Sequence, residues 1–160
     1  MSTRRHVLEE QFAVTPERMF EILITPSAIR AWWGASKAIV LPQAGGTWVG
    51  SWGENENDPD YISSFKILEY EPPKRMLLGD GKYFSRDGQP PFVMDKMTTE
   101  FVVEERGSGL CALRITQDGF PSEKVADDFY DACVIGWNNT FEGIRKYCFD
   151  NPVETVNSEK

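Results

Sequence analysis

Apolar residues along this chain recur with two periods, and the change of period separates a mixed N-terminal part, a long alternating centre and a helical C-terminal part. From Val7 to Val14, Phe12 and Val14 alternate with Gln11 and Ala13, the period of a strand. Thr15-Pro16-Glu17 follows: a side-chain oxygen for a cap, a proline whose fixed φ suits the first helical position, and an acid beside the positive end of the helix dipole. This predicts a helix over Pro16 to Ile24. Thr25-Pro26 stops it and starts a second short helix carrying Ile29, Trp32 and Trp33, which Gly34 ends.

From Lys37 to Asp118 short β-like runs are divided by turn residues such as Gly45-Gly46, Pro72-Pro73, Asp80-Gly81 and Gly107-Ser108-Gly109. The runs predict strands over Ala38 to Leu41, Thr47 to Trp52, Tyr61 to Tyr70, Arg75 to Leu78, Met97 to Glu105 and Leu110 to Gln117, an antiparallel meander. Thr99, Phe101 and Val103 share one face, and Cys111, Leu113 and Ile115 share one face of the next strand, so one side of the sheet is packed and the other largely wet. After Gly119-Phe120-Pro121-Ser122, the residues Phe129, Cys133, Trp137, Phe141, Ile144 and Cys148 recur three or four apart, which predicts an amphipathic helix of about 25 residues. Gly136 and Gly143 inside it each cost roughly 1 kcal/mol relative to alanine, a penalty accepted where sheet or ligand must come close. The expected organisation is an α+β domain over residues 1–150, order β-α-α-β(6)-α, with a disordered tail over 151–160.

Charge narrows the function. Lys and Arg number 17 against 25 Asp and Glu, a net charge of −8, which argues against phosphate neutralisation and hence against nucleic acid as a partner. No stretch has the apolar length of a membrane span or the continuous core of a secretory signal, so no membrane insertion and a cytoplasmic location are expected. Cys111, Cys133 and Cys148, odd in number and widely spaced, read as reduced, buried thiols.

Candidate chemistry is sparse. His6 is the one histidine, and no nucleophile elbow or phosphate loop follows a strand, so no cofactor or metal is expected. The acidic run Glu54, Glu56, Asp58 and Asp60 lacks the glycine and terminal acid of a calcium loop and reads as a solvated hairpin. Glu69 shares a side of its strand with Phe65 and Ile67 by strict alternation, which places a carboxylate at the inner wall or at a solvated strand end. Glu100 and Arg114 read as an exposed cross-strand pair, and the stretch from Gly79 to Phe92 reads as a long loop, a lid or a dimer contact.

Several clusters, taken in order, carry a resemblance: Trp32-Trp33-Gly34 after tandem helices, Gly45-Gly46-Thr47-Trp48, Glu69 to Arg75 with its paired prolines, and Gly119-Phe120 before a helix containing Gly136-Trp137. Over about residues 5 to 150 the chain resembles the heat-shock protein 90 ATPase activator-like family of the START-like, helix-grip superfamily. The resemblance implies a curved antiparallel sheet wrapped around a long C-terminal helix, with a cavity between them. It also implies a chaperone as one partner. In the eukaryotic activators, however, a separate N-terminal domain carries the stimulating motif, and this chain begins almost at its first strand.

The expected cavity is lined by Trp32, Trp33, Trp48, Phe65, Ile67, Glu69, Phe101, Leu113, Phe129, Cys133, Trp137 and Phe141. Trp32 and Trp33 lie about 100° apart on a helix, so one is expected to pack and the other to edge the mouth. Non-enzymatic binding of a small hydrophobic molecule or lipid is the preferred function. The alternatives are a chaperone-associated interaction protein and a cyclase- or hydratase-type enzyme in the same cavity, the protein being a monomer or a homodimer.

Overall fold

The computed structural model describes residues 2–89, 92 and 94–152. Its elements are β1 (Thr3–Phe12), α1 (Pro16–Ile24), α2 (Pro26–Trp33), β2 (Lys37–Val40), β3 (Thr47–Trp52), β4 (Tyr61–Glu71), β5 (Arg75–Ser85), β6 (Thr98–Gly107), β7 (Leu110–Pro121), a 3₁₀ turn (Lys124–Ala126) and α3 (Asp127–Asp150). The strands form one antiparallel sheet in the order β1-β7-β6-β5-β4-β3-β2. The chain enters at one edge, crosses to the other through α1 and α2, and returns as a meander that ends beside its own first strand.

Local chemistry sets the helices. The Thr15 side chain accepts from the Arg18 amide at 3.1 Å, Pro16 fills the first turn, and Gly34, at φ 76°, closes α2 in the left-handed region. Two tryptophans finish α1 from outside. Trp32 Nε1 donates to the Ile22 carbonyl at 3.0 Å and Trp48 Nε1 to the Leu23 carbonyl at 2.9 Å, giving partners to carbonyls in the last turn that lack intrahelical ones. The core joins these helices to the inner faces of β3–β7 and to the C-terminal half of α3, with Phe101, Leu113, Ile67, Phe141 and Ile144 at 0–1% exposure.

The sheet departs from the expected strands where bulges interrupt alternation. β1 starts at Thr3 and stops at Phe12. Most of the expected loop from Gly79 to Phe92 is strand: β5 continues to Ser85, paired with β4 as far as Tyr61↔Ser85. Asp80 and Gly81 together oppose Phe65, so Asp80-Gly81 is a bulge, with Asp80 at φ 49°, and not a turn. Of that loop, Pro90 and Pro91 lie outside the described residues, as does the tail from 153 to 160. β7 likewise runs on through Gly119, at φ 82°, where a methyl group would overlap the Lys96 carbonyl. Among the described residues no helix is long and apolar enough to cross a membrane.

One surface expectation is corrected. Glu100 does not pair with Arg114. Glu100 stands opposite Thr116 and Arg114 opposite Val102, so Glu100 accepts from Arg75 Nε at 2.5 Å while Arg114 reaches Glu9 at 3.4 Å. The acidic hairpin is exposed, as expected, and in it Asp58 and Asp60 hold Arg86 at 2.7 and 3.1 Å and tie the end of β5 to the β3–β4 connection.

Candidate functional site

Between the concave face of the sheet and the N-terminal half of α3 lies a cavity of about 480 Å³, within the ~300–1,000 Å³ of small-molecule sites. The sequence of α3 explains why the void is at this end. Toward its C-terminus Phe141 and Ile144 are buried and Gly143 lets the Trp32 backbone come so close that a methyl group would overlap the Trp32 carbonyl oxygen. Toward its N-terminus three short residues, Ala132, Cys133 and Gly136, stand between the large lining side chains of Phe129 and Trp137, and nothing outside the helix backbone lies within 4 Å of where a Gly136 Cβ would stand. From the sheet Gly81, Thr99 and Gln117 line it beside the larger Trp48, Phe65, Leu78 and Tyr83.

One wall is aromatic. Trp33 packs at 5.9 Å from Trp32, 5.0 Å from Trp48 and 4.6 Å, edge to face, from Trp52. Both Trp32 and Trp33 reach the cavity: Trp32 is buried and bonded to α1, and Trp33 is half-buried. Phe65, Phe129, Cys133 and Trp137 also line it, as does Trp48. Trp137 meets Phe101 edge to face at 5.8 Å, which puts Phe101 behind the wall and not on it.

The other expected lining residues lie elsewhere. Ile67, Leu113 and Phe141 are fully packed in the core with Phe101 and do not reach the cavity. Glu69 is on the outer face. Ile67 pairs with Leu78 and Glu69 with Leu77, so Leu68 is an extra residue that shifts the alternation by one. In consequence Tyr70 turns inward against Phe20 at 5.6 Å, while Glu69 and Glu71 meet Arg75 outside.

Strand alternation also marks residues that hydrophobicity alone passes over. Thr99 continues the inward row of Phe101 and Val103, and Gln117 continues that of Leu113 and Ile115. They face each other in register, and Gln117 faces His6 on β1. A hydrogen-bonded row spans three strands: Gln117 Nε2 donates to Thr99 Oγ1 at 3.1 Å, and Gln117 Oε1 lies 3.2 Å from His6 Nε2. His6 sits between Phe120 and Tyr130 at 5.0 and 5.1 Å, and this burial lowers its pKa from 6.5 against the opposing bond to Gln117. Burial pushes the Cys133 thiol up to about 12, so it stays protonated and weakly nucleophilic. Lys82, 77% exposed, is the one lining cation among the described residues, and Met94 and Met97 border the cavity from the segment before β6.

A curved antiparallel sheet closed on a long C-terminal helix, with an apolar cavity between them, defines a helix-grip protein. The chain belongs to the activator of Hsp90 ATPase homolog 1-like family, whose model matches residues 13–148. Solved structures share the fold: a protein from Mesorhizobium loti is 21% identical, covering 94% of this chain and 100% of its own, with a TM-score of 0.74. The AHSA1 protein from Silicibacter pomeroyi is 18% identical over 92% of this chain and 100% of its own, with a TM-score of 0.66. An HSP90 activator from Plasmodium falciparum is 17% identical over 88% and 92%, with a TM-score of 0.62. No curated protein matches the chain.

Proposed function

We propose that this protein binds a small hydrophobic molecule, without transforming it, in the cavity between the sheet and α3. The observation that carries this reading is an aromatic wall facing a stretch of α3 where Ala132, Cys133 and Gly136 stand between Phe129 and Trp137, with a cavity of about 480 Å³ between them beside a well-packed core. A ligand of matching shape gains dispersion contacts with these apolar walls and releases the water that would otherwise wet them. Burying apolar surface contributes about 25 cal/mol per Å² before ordering costs. The lining groups that carry protons, a high-pKa thiol, hydroxyls, amides and one exposed amine, suit holding a ligand better than acid–base chemistry at neutral pH.

Native mass spectrometry of freshly purified protein tests this directly. The expected spectrum shows a small-molecule adduct that is lost on unfolding, or an apo protein whose melting temperature rises with added apolar probes. A bare mass together with an unmoved melting temperature overturns the reading.

A second reading, supported by the family match and by the fold likeness to a named HSP90 activator, is association with a chaperone. Titration into a chaperone ATPase assay separates the two. Weak or no stimulation is expected, and a several-fold rise would favour the chaperone role.

A further inference from the structure

The inner end of the cavity carries a directed chain of hydrogen bonds. Gln117 spends an amide hydrogen on Thr99 Oγ1, so its carbonyl oxygen faces His6, and the hydrogen between them belongs to His6 Nε2. Nδ1 is then a bare lone pair, and it is the buried side-chain nitrogen without a partner among the described residues. The reversed amide would put the hydrogen on Nδ1 and bury an unpaired donor, the rarer arrangement. Donation therefore runs from His6 to Gln117 to Thr99. The Thr99 hydroxyl has accepted, and no bond among the described residues takes its own hydrogen, although Thr99 is only 5% exposed and lines the cavity.

We propose that the Thr99 hydroxyl donates to the bound ligand, so that the cavity selects apolar molecules carrying a neutral hydrogen-bond acceptor of the ketone or ester class over pure hydrocarbons and carboxylates. The proposal rests on the binding reading above and adds the polarity of the ligand to it. At the inner end the donors, the Thr99 hydroxyl and the second amide hydrogen of Gln117, are both uncharged, and uncharged donors offset little of the dehydration of a buried carboxylate. The one lining cation among the described residues, Lys82, is exposed and 3.9 Å from Asp80, so it meets charge at the surface and not at the inner end. A carbonyl oxygen needs only one good donor, and its absence from a hydrocarbon leaves the buried hydroxyl unpaired.

Benzophenone and diphenylmethane have nearly the same shape and differ in the bridging carbonyl, which makes them a matched pair for displacement of an apolar dye. Because they also differ in hydration, the informative quantity is the ratio of their dissociation constants in wild type compared with that in Thr99→Val. The ratio should move toward diphenylmethane by about five- to tenfold in Thr99→Val, the size of one hydrogen bond, and return in Thr99→Ser. In the wild-type protein alone, the infrared carbonyl stretch of bound benzophenone should lie below its position in hexane, a reading that does not depend on any variant folding. Both probes binding with an unchanged ratio and an unshifted stretch would overturn the polarity proposal and leave the cavity reading standing. Failure of both probes to displace the dye from any of the proteins would overturn the two together.

Discussion

Alanine placed at Gly143 and at Gly136, two turns apart on α3, should change stability in opposite directions. Both substitutions gain the helix preference of alanine over glycine, about 0.5–1 kcal/mol. At Gly136 nothing lies within 4 Å of the new Cβ, so the gain is kept. At Gly143 the new methyl overlaps the Trp32 carbonyl oxygen and stands 3.2 Å from its carbonyl carbon and 3.3 Å from its Cα. These are backbone atoms of α2, which cannot rotate away, so α2 and α3 must separate where they cross. Overpacking of this kind costs about 1–3 kcal/mol, which exceeds the helix gain and leaves a net loss of roughly 1–2 kcal/mol. Because the helix gain is common to both, the two variants should differ by the overpacking cost, about 1–3 kcal/mol. Urea unfolding followed by tryptophan fluorescence measures this as a midpoint shift at constant slope. In a chain of 160 residues the melting temperatures would separate by several degrees. A Gly143→Ala protein as stable as wild type would refute the close approach, and with it the account of why the cavity is confined to one half of α3.

Other outcomes follow from the same geometry. Trp137→Ala should cost less than the ~3–5 kcal/mol of a fully packed tryptophan, because the cavity already takes the place of some packing partners, and it should weaken apolar probe binding per folded molecule. A large stability loss with unchanged affinity would assign Trp137 to the core. The lowered pKa of His6 makes stability pH-dependent in a definite sense. The unfolded imidazole takes up a proton near 6.5 while the folded one resists, so this stabilisation is present above 6.5 and is lost as pH falls toward the folded value. His6→Gln should flatten the fall in stability between about pH 7 and 5, and an equally steep profile would show that His6 is not the titrating group. With its pKa near 12, Cys133 should react with iodoacetamide at pH 8 far more slowly in the folded protein than in urea, and rapid labelling of the native protein would contradict its burial.

Much of the architecture is legible in the sequence because its signals are local. The two Thr-Pro steps and Gly34 place α1 and α2 to within a residue, and the four-residue recurrence from Phe129 to Cys148 defines α3. Bulges are less legible, since each inserts a residue without any composition of its own. Leu68 reverses the face of Glu69, and Asp80-Gly81, which reads as a turn, lies within a strand that continues to Ser85. The division of the inward residues between core and cavity is not local either. Phe141 and Phe129 share one stripe, but Gly143 draws α2 onto the end that holds Phe141, while Phe129, packed on Phe92 and Phe120, borders the cavity. Thr99 and Gln117 were accessible to alternation. An inward row of apolar side chains that ends in a polar residue on two adjacent strands is the signal, and a search restricted to hydrophobic positions misses it.

The most direct test of the binding account is an apolar-dye titration of wild type beside Gly136→Phe. Gly136 is exposed at the rim of the cavity, and a helical side chain there leans back over the preceding turn toward Ala132 and Cys133, so a ring at 136 has room to cover the cavity's mouth where a Cβ meets no atom within 4 Å. Wild type should bind the dye saturably with enhanced fluorescence, and Gly136→Phe should bind it at least tenfold more weakly while melting no lower. Equal dye binding by the two proteins, or none by folded wild type, would contradict the binding account.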